Sequence, residues 1–147
     1  MNHSNVSLTI PAQAEYLDIV RLTLYGIATK AGFSFEEIED MKVAVAEACN
    51  NAIMHAYDSH HAGQVELRFH LEDYGISIHV KDDGNSFDYE HTALKGAPLQ
   101  GMPISEAKVG GLGLFMMQAL MDKVQVITDR GTEVILTKHY SRKEEMA

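Results

Sequence analysis

The chain has 147 residues, a formal net charge of −9, 46% hydrophobic residues and 22% charged residues. A chain of this length is expected to form one globular domain over residues 1–147, with a sizeable core. The acidic balance argues against a nucleic-acid partner, because phosphate binding needs a clustered basic face. No apolar run approaches the ~20 residues of a membrane span and no secretory signal is evident, so we expect a cytoplasmic protein without a membrane partner.

The first predicted elements are a strand and a helix. Residues 6–10 alternate apolar and polar side chains as a half-buried strand does, and Pro11 ends the pattern. A first helix follows and stops near Gly32. Its predicted core stripe, at three- and four-residue steps, comprises Tyr16, Ile19, Val20, Leu24 and Ile27.

A second helix is predicted from the N-cap pattern at residues 34–37, with acidic residues in the first turn, to about Tyr57. Its predicted core stripe comprises Ile38, Met41, Val45, Cys49 and Ala52. The single cysteine lies within this stripe, so we interpret Cys49 as a packing residue.

The second half of the chain predicts two hairpins and a third helix. Alternating residues at 65–71 and 76–80, joined by a turn at 72–75, indicate the first hairpin. Residues 83–110 contain several Gly and Pro and no periodic pattern, which indicates a long functional loop or lid. A helix over 112–121 and a hairpin of 124–128 with 133–137, turning at 129–131, complete the chain. The pattern predicts an α+β two-layer sandwich, with a mixed, mostly antiparallel sheet covered by helices on one face.

One candidate site lies on the second helix, where Glu47, Asn51 and His55 are spaced by four residues. This spacing predicts one polar line on the helix, well away from the core stripe. A carboxylate beside a carboxamide oxygen suits Mg²⁺, which takes few protein ligands together with waters and phosphate oxygens. The same spacing also fits a solvated helix face.

Two further candidates involve glycines. Asp82 comes where a strand gives way to a loop, so it can accept a hydrogen bond from an exocyclic amine, while Gly84 lets a flat ring approach the backbone. A strand-ending turn explains this pattern equally well.

The glycines of 110–113 lead into a helix whose exposed amides can bind phosphate. This run is neither a Walker A loop nor a dinucleotide fingerprint, and alone it also fits a hinge without a ligand.

Taken together and in this order, the three patterns resemble the N, G1 and G2 boxes of the Bergerat-fold ATPases and kinases, the superfamily of gyrase, Hsp90, histidine kinases and MutL. Gly131-Thr132 is similar to the last box. Longer phrases are similar to the anti-sigma-B factor serine kinases: Glu47-Ala48-x-x-Asn51-Ala52-x-x-His55-Ala56-Tyr57, Asp82-x-Gly84-x-Ser86-Phe87-Asp88, and Gly111-Leu112-Gly113-Leu114-Phe115 with Leu120-Met121-Asp122. Ser86 replaces a glycine common in the wider superfamily, and it favours the sigma-B type over the sporulation relatives.

The resemblance implies a Bergerat fold that binds ATP and Mg²⁺, with a role for each matching residue. Asn51 is the implied Mg²⁺ ligand and Glu47 the base that receives the substrate hydroxyl proton. Asp82 is implied to accept from the adenine amine, Thr132 to support it through water, and Gly84 to keep the base plane close. The phosphates are implied to bind the amides of Gly111, Leu112, Gly113 and Leu114. For His55 we expect a structural hydrogen bond, and we expect neither a zinc nor an iron site.

The implied function is that of an anti-sigma factor and serine kinase in stress-response transcription regulation. Such a protein binds and inhibits a sigma factor and phosphorylates a serine on its anti-anti-sigma antagonist, and the resemblance also implies a homodimer. One alternative is a regulatory module that binds ATP or ADP without phosphotransfer. Another is a histidine-kinase-like catalytic domain, which needs an upstream phosphoacceptor helix pair, whereas only five residues precede the first predicted strand. Gyrase, MutL and Hsp90 relatives carry additional domains.

Overall fold

The computed structural model describes residues 4–58, 63–82, 111–128 and 131–141. Within these ranges the elements are β1 (Ser4–Pro11), α1 (Leu17–Ala31), α2 (Phe35–Asp58), β2 (Gln64–Leu71), β3 (Gly75–Asp82), α3 (Gly111–Leu120), β4 (Lys123–Thr128) and β5 (Thr132–His139), with a short 3₁₀ turn before α1. The predicted order of strands and helices is confirmed. The predicted lid at 83–110 lies outside the described residues.

The strands form one sheet in the order β1-β2-β3-β5-β4. The expected sheet was mixed, but each pairing between the described strands is antiparallel. The predicted hairpin of β2 and β3 is confirmed, and its turn closes where the Glu72 amide donates to the Gly75 carbonyl at 2.8 Å. Gly75 has φ 153°, and a methyl group there would overlap Lys138 O of β5 and lie 2.8 Å from His139 Cα. Only glycine lets β3 begin beside β5 at this point.

Residues directly opposite each other on neighbouring strands share a face of the sheet. On the face covered by helices, such residues form rows that run across the strands. One row is apolar throughout and comprises Leu8, Leu67, Val80, Val134 and Val126. The end row begins apolar and becomes polar, and it comprises Ile10, Val65, Asp82, Thr132 and Thr128. The covered face therefore turns polar at one end of its central strands.

The core stripe of α1 differs from the predicted one. Its buried residues are Leu17, Val20, Leu24 and Ala28. Ile19 was predicted to be buried but is 41% exposed, because it lies about 100° around the helix from Val20. The predicted stop is confirmed: Gly32 has φ 99°, and the Phe33 amide donates to Ala28 O at 3.1 Å, as in a Schellman motif.

The long helix α2 is the centre of the helical layer. It begins with a capping box, in which the Ser34 amide donates to Glu37 Oε1 at 2.7 Å and the Glu37 amide donates to Ser34 Oγ at 3.1 Å. Every residue of its predicted core stripe is buried, with at most 4% exposure. The helix packs against α1, α3, β2, β3 and β5.

The interior position of Cys49 in α2 confirms its interpretation as a packing residue. The thiol is buried, and that burial raises its pKa to about 12, while the nearby Arg21 acts in the opposite direction. The thiolate form is therefore disfavoured at neutral pH. In the described part of the chain, none of the helices has the length and apolar character needed to cross a membrane.

Candidate functional site

The contact between α2 and α3 places Gly113 of α3 against two predicted site residues of α2, Glu47 and Asn51. The predicted line of polar residues was expected to face away from the core, but Asn51 is only 7% exposed. That expectation is wrong for Asn51 because α3 packs against α2 and covers this side of it. The side chain of His55 lies outside the described residues.

Gly113 in the first turn of α3 lies directly against these two side chains. A methyl group at Gly113 would lie 2.9 Å from Glu47 Oε1 and 3.5 Å from Asn51 Nδ2. Glycine in a helix costs about 1 kcal/mol relative to alanine, so its presence here calls for a local reason. The close approach of the carboxylate and the carboxamide supplies that reason.

The first turn of α3 can bind an anion beside this pair. Gly111, Leu112 and Gly113 are its first residues, and amides at a helix start have no acceptor within the helix. These amides and the helix dipole favour a phosphate oxygen. Leu114 anchors the same turn, since its side chain is 2% exposed in the core.

The opposite end of α3 is tied to β5. The Lys138 ammonium donates to Leu120 O at 2.8 Å, and Asp122 Oδ2 accepts from the His139 amide at 2.6 Å. These bonds fix the end of a helix about 15 Å long, and so help to hold its first turn against Glu47. Sequence reasoning did not find Lys138, because its role depends on the register of β5.

Asp82 and Thr132 form a second polar pair at the end of the covered face. They lie opposite each other in β3 and β5, and each is 2% exposed. Among the described residues, Thr132 Oγ1 has no hydrogen-bond partner. Buried polar groups in native proteins are nearly always paired, so a water or ligand atom is expected here. Gly84, predicted beside this pair, lies outside the described residues.

The first pair lies on α2 itself, and the second lies on β3 and β5, which pack against α2. Within the described residues, no group of three or more His, Cys, Asp or Glu side chains is arranged to hold a metal ion. A metal ion here would take few protein ligands, which is the usual coordination of Mg²⁺ with a nucleotide.

Comparison with protein families gives a match to the histidine kinase-like ATPase domain over residues 10–138. A protein of Halalkalibacterium halodurans named serine-protein kinase RsbW is 44% identical over 140 residues, covering 95% of this chain and 85% of its own. The protein of the same name from Bacillus subtilis is 40% identical, with coverages of 94% and 87%. The one from Listeria innocua is 38% identical, with coverages of 97% and 91%.

The fold is also similar to a solved structure. A crystal structure of the RsbU and RsbW domains of a Mycobacterium tuberculosis protein superposes with a TM-score of 0.63 at 19% sequence identity. The match covers 92% of this chain and 32% of the longer mycobacterial chain. At this identity the likeness supports the two-layer fold alone.

Proposed function

Because this chain belongs to the histidine kinase-like ATPase domain family, we propose that it is an ATP-dependent protein serine kinase that also acts as an anti-sigma factor. The relatives named serine-protein kinase cover almost the whole chain at 38–44% identity, which supports the kinase activity. Membership of the family implies ATP binding. The substrate of the proposed kinase is an anti-anti-sigma antagonist protein with an acceptor serine.

The observation that carries this proposal is the contact of Gly113 with Glu47 and Asn51. A carboxylate, a carboxamide and free helix amides meet within one turn of α3, where a methyl group would lie 2.9 Å from Glu47 Oε1. Phosphoryl transfer depends mainly on positioning and charge stabilisation, and these groups can supply both. In this proposal the amides of Gly111, Leu112, Gly113 and Leu114 hold the phosphates.

Asp82 and Thr132 provide the proposed adenine subsite. A buried carboxylate can accept a hydrogen bond from the adenine amino group, whereas guanine presents a carbonyl at that position. Thr132 Oγ1 has no hydrogen-bond partner among the described residues, and a water bound to the nucleotide base would supply one. Gly84, which we propose to border the base plane, is outside the described residues.

Mg²⁺ is the proposed cofactor, with Asn51 as its protein ligand through the carboxamide oxygen. When bound, the ion neutralises charge on the phosphates. Glu47 accepts the proton of the substrate serine as its hydroxyl oxygen bonds to the terminal phosphorus. The bond from that phosphorus to the bridging oxygen breaks, and ADP leaves with the electron pair.

The remaining parts of the proposal concern partners and cellular location. We propose that a separate surface binds a sigma factor of the sigma-B type and that the chain acts as a cytoplasmic homodimer. The partner assignments follow the resemblance of the Glu47–Tyr57 phrase to anti-sigma-B kinases. They are testable by co-purification with the sigma factor and by analytical ultracentrifugation.

Replacing the proposed base tests the activity. Glu47→Gln keeps the shape and hydrogen bonding of the side chain but removes the proton acceptor, so phosphoryl transfer should fall about 10²–10⁴-fold. Single-turnover transfer from labelled ATP to a candidate anti-anti-sigma antagonist protein measures this loss. Mg²⁺-ATP affinity, measured by calorimetry on the same preparation, should stay close to that of the parent.

The outcomes separate the competing functions. Transfer by Glu47→Gln within a few fold of the parent would show that another group is the base. A parent that binds Mg²⁺-ATP but transfers no phosphate would favour the binding module without phosphotransfer. Phosphate found on a histidine of the acceptor would favour a histidine-kinase-like domain.

A further inference from the structure

The outward side of α3 is apolar. Leu112, Phe115 and Met116 are 46%, 51% and 36% exposed, and Ala119 is exposed beside them. Their spacing of three, four and seven residues places them on one side of the helix. We define these four residues as the α3 stripe.

A helix on a protein surface usually carries polar residues on its outward side. The α3 helix has no charged residue at all, and Leu114 and Met117 already form its buried side. The exposed residues of the α3 stripe are therefore not the ones that pack this helix against the core. Contiguous exposed apolar surface of this kind commonly marks a protein interaction site.

The stripe begins next to the proposed phosphoryl-transfer site. Leu112 immediately precedes Gly113, whose added methyl group would lie 2.9 Å from Glu47 Oε1. With a rise of about 1.5 Å per residue, the helix carries Phe115 only about 5 Å further along its axis. Glu47 meets the other side of this turn, and a helix with its side chains is only about 10–12 Å across. A folded protein that brings a serine hydroxyl to Glu47 therefore comes within reach of the stripe.

We propose that the α3 stripe is the docking surface for the protein substrate, whose acceptor serine is flanked by apolar side chains. This inference rests on the kinase activity proposed above. The stripe begins in the same helix turn that meets Glu47, where a substrate must bind and leave, so it suits a transient partner better than a permanent one. Because α3 contributes no charge, this part of the recognition depends on apolar contact.

Phe115 is the residue to test, because it is the most exposed of the three large side chains of the stripe and no role in nucleotide binding is assigned to it. Phe115→Ala should raise the KM for the antagonist protein about tenfold, the size of effect expected when a packed interface anchor is truncated. The kcat at saturating antagonist and the affinity for Mg²⁺-ATP should not change. Phe115→Leu keeps most of the apolar area and should restore the KM to within about threefold of the parent.

Phe35 provides the matched control. It is 70% exposed in the first turn of α2, so Phe35→Ala removes the same side chain from another helix and should leave the KM unchanged. If Phe115→Ala does not fold, Met116→Gln tests the stripe at a position 36% exposed. The probe in every assay is the same anti-anti-sigma antagonist protein that accepts phosphate from the parent.

Several results would overturn the docking proposal. An unchanged KM in Phe115→Ala, with an active parent, would remove the stripe from substrate recognition and leave the kinase activity standing. A loss of ATP affinity alone would indicate that the chain's own residues 83–110 cover the stripe. A changed oligomeric state with an unchanged KM would indicate contact with a second copy. A parent inactive on the antagonist would overturn both proposals.

Discussion

The two faces of the sheet carry their polar residues in different ways. On the face covered by helices, the rows across β2, β3 and β5 are apolar except at the two ends, where one row contains Asp82 and Thr132 and the other contains Lys138. On the open face, polar residues occur along the whole length of the strands. A polar side chain is therefore exceptional on the covered face and ordinary on the open one.

The open face pairs its charges with one another. His79 Nδ1 donates to Glu133 Oε2 at 2.9 Å, Arg68 Nε donates to Glu66 Oε2 at 3.3 Å, and Lys81 lies in register between the two glutamates. The groove that these five side chains line is shallow, with a volume of about 90 Å³. An exposed ion pair such as Arg68–Glu66 contributes little to stability.

Ser77 also belongs to the open face, with Oγ 3.5 Å from His79 Nε2. The order Ser77, His79, Glu133 matches a hydrolytic triad, but β3 lies between β2 and β5. The amides of a strand paired on both sides are engaged in the sheet, so they cannot form an oxyanion hole. The comparison teaches that a buried polar pair at the end of an apolar face, such as Asp82 and Thr132, is a better guide to a site than a familiar triad pattern on a face rich in polar residues.

The sharpest test of this difference replaces one acid on each face. Asp82→Asn should weaken ATP binding about 10- to 100-fold, because it removes a charged acceptor and can present a donor to the adenine amine. Glu133→Gln, the control on the open face, should change ATP affinity by less than about threefold. Calorimetric titration with ATP and GTP measures both affinity and base preference. Equal losses of ATP affinity in the two variants would show that the acids on the two faces do not differ in nucleotide binding.

A second test separates the effect of the contact between α2 and α3 on phosphoryl transfer from its effect on the stability of the protein. In Gly113→Ala the new methyl group displaces the Glu47 carboxylate, so phosphoryl transfer should fall about tenfold. Stability should stay the same or rise by up to about 1 kcal/mol, because alanine favours the helix. Gly26→Ala, where nothing lies within 4 Å of the added methyl group, should gain stability without losing transfer. Urea denaturation and single-turnover assays decide this, and full activity in Gly113→Ala would contradict the proposed position of the base.

A third test uses two buried threonines of β5. Thr132→Val on the covered face removes a hydroxyl without a described partner, so stability should not fall, while ATP affinity should drop about threefold with the loss of one hydrogen bond. Thr137→Val on the open face should leave ATP affinity unchanged. Paired titrations of both variants provide the measurement. A clear loss of stability in Thr132→Val would mean that its hydroxyl is already satisfied within the protein.

The smallest effect is expected on the open face, at His70. Burial, and next the neighbouring His79, lower the pKa of His70 below its usual value. The folded state thus favours the neutral ring, and this contribution to stability, present above the unfolded pKa, is lost as pH falls through the folded one. His70→Gln should therefore lose slightly less stability than the parent between about pH 7 and about pH 5. Denaturation midpoints at the two pH values show it, and equal slopes would contradict the expected shift.

Local sequence patterns predicted the order of the elements and most of their residues. The alternation in β2 and β3 depends only on side chains pointing to opposite faces of a strand, and the capping box at Ser34 involves residues three apart. The stripe of α2 follows because five apolar residues recur at helical spacing, and each of them is buried. Helical spacing wrongly placed Ile19 in the buried stripe of α1. Ile19 is apolar like its neighbours, and only packing decides which side of the helix is covered.

The site was predictable as a set of residues through family resemblance, while the roles of those residues remain proposals. Helical spacing placed Asn51 on a solvated line, and nothing local to α2 indicates that α3 covers it. The register of β3 with β5 sets Thr132 opposite Asp82, although fifty residues separate them in sequence.

The sequence by itself determined the secondary structure and the identity of the polar residues, because periodicity, capping and turn chemistry act over a few residues. Tertiary structure alone decided that Gly113 meets Glu47, that Lys138 holds the end of α3, and that Thr132 Oγ1 is buried without a described partner. Each of these contacts joins elements far apart in the chain. Such contacts depend on how whole faces pack together, and no local pattern encodes that.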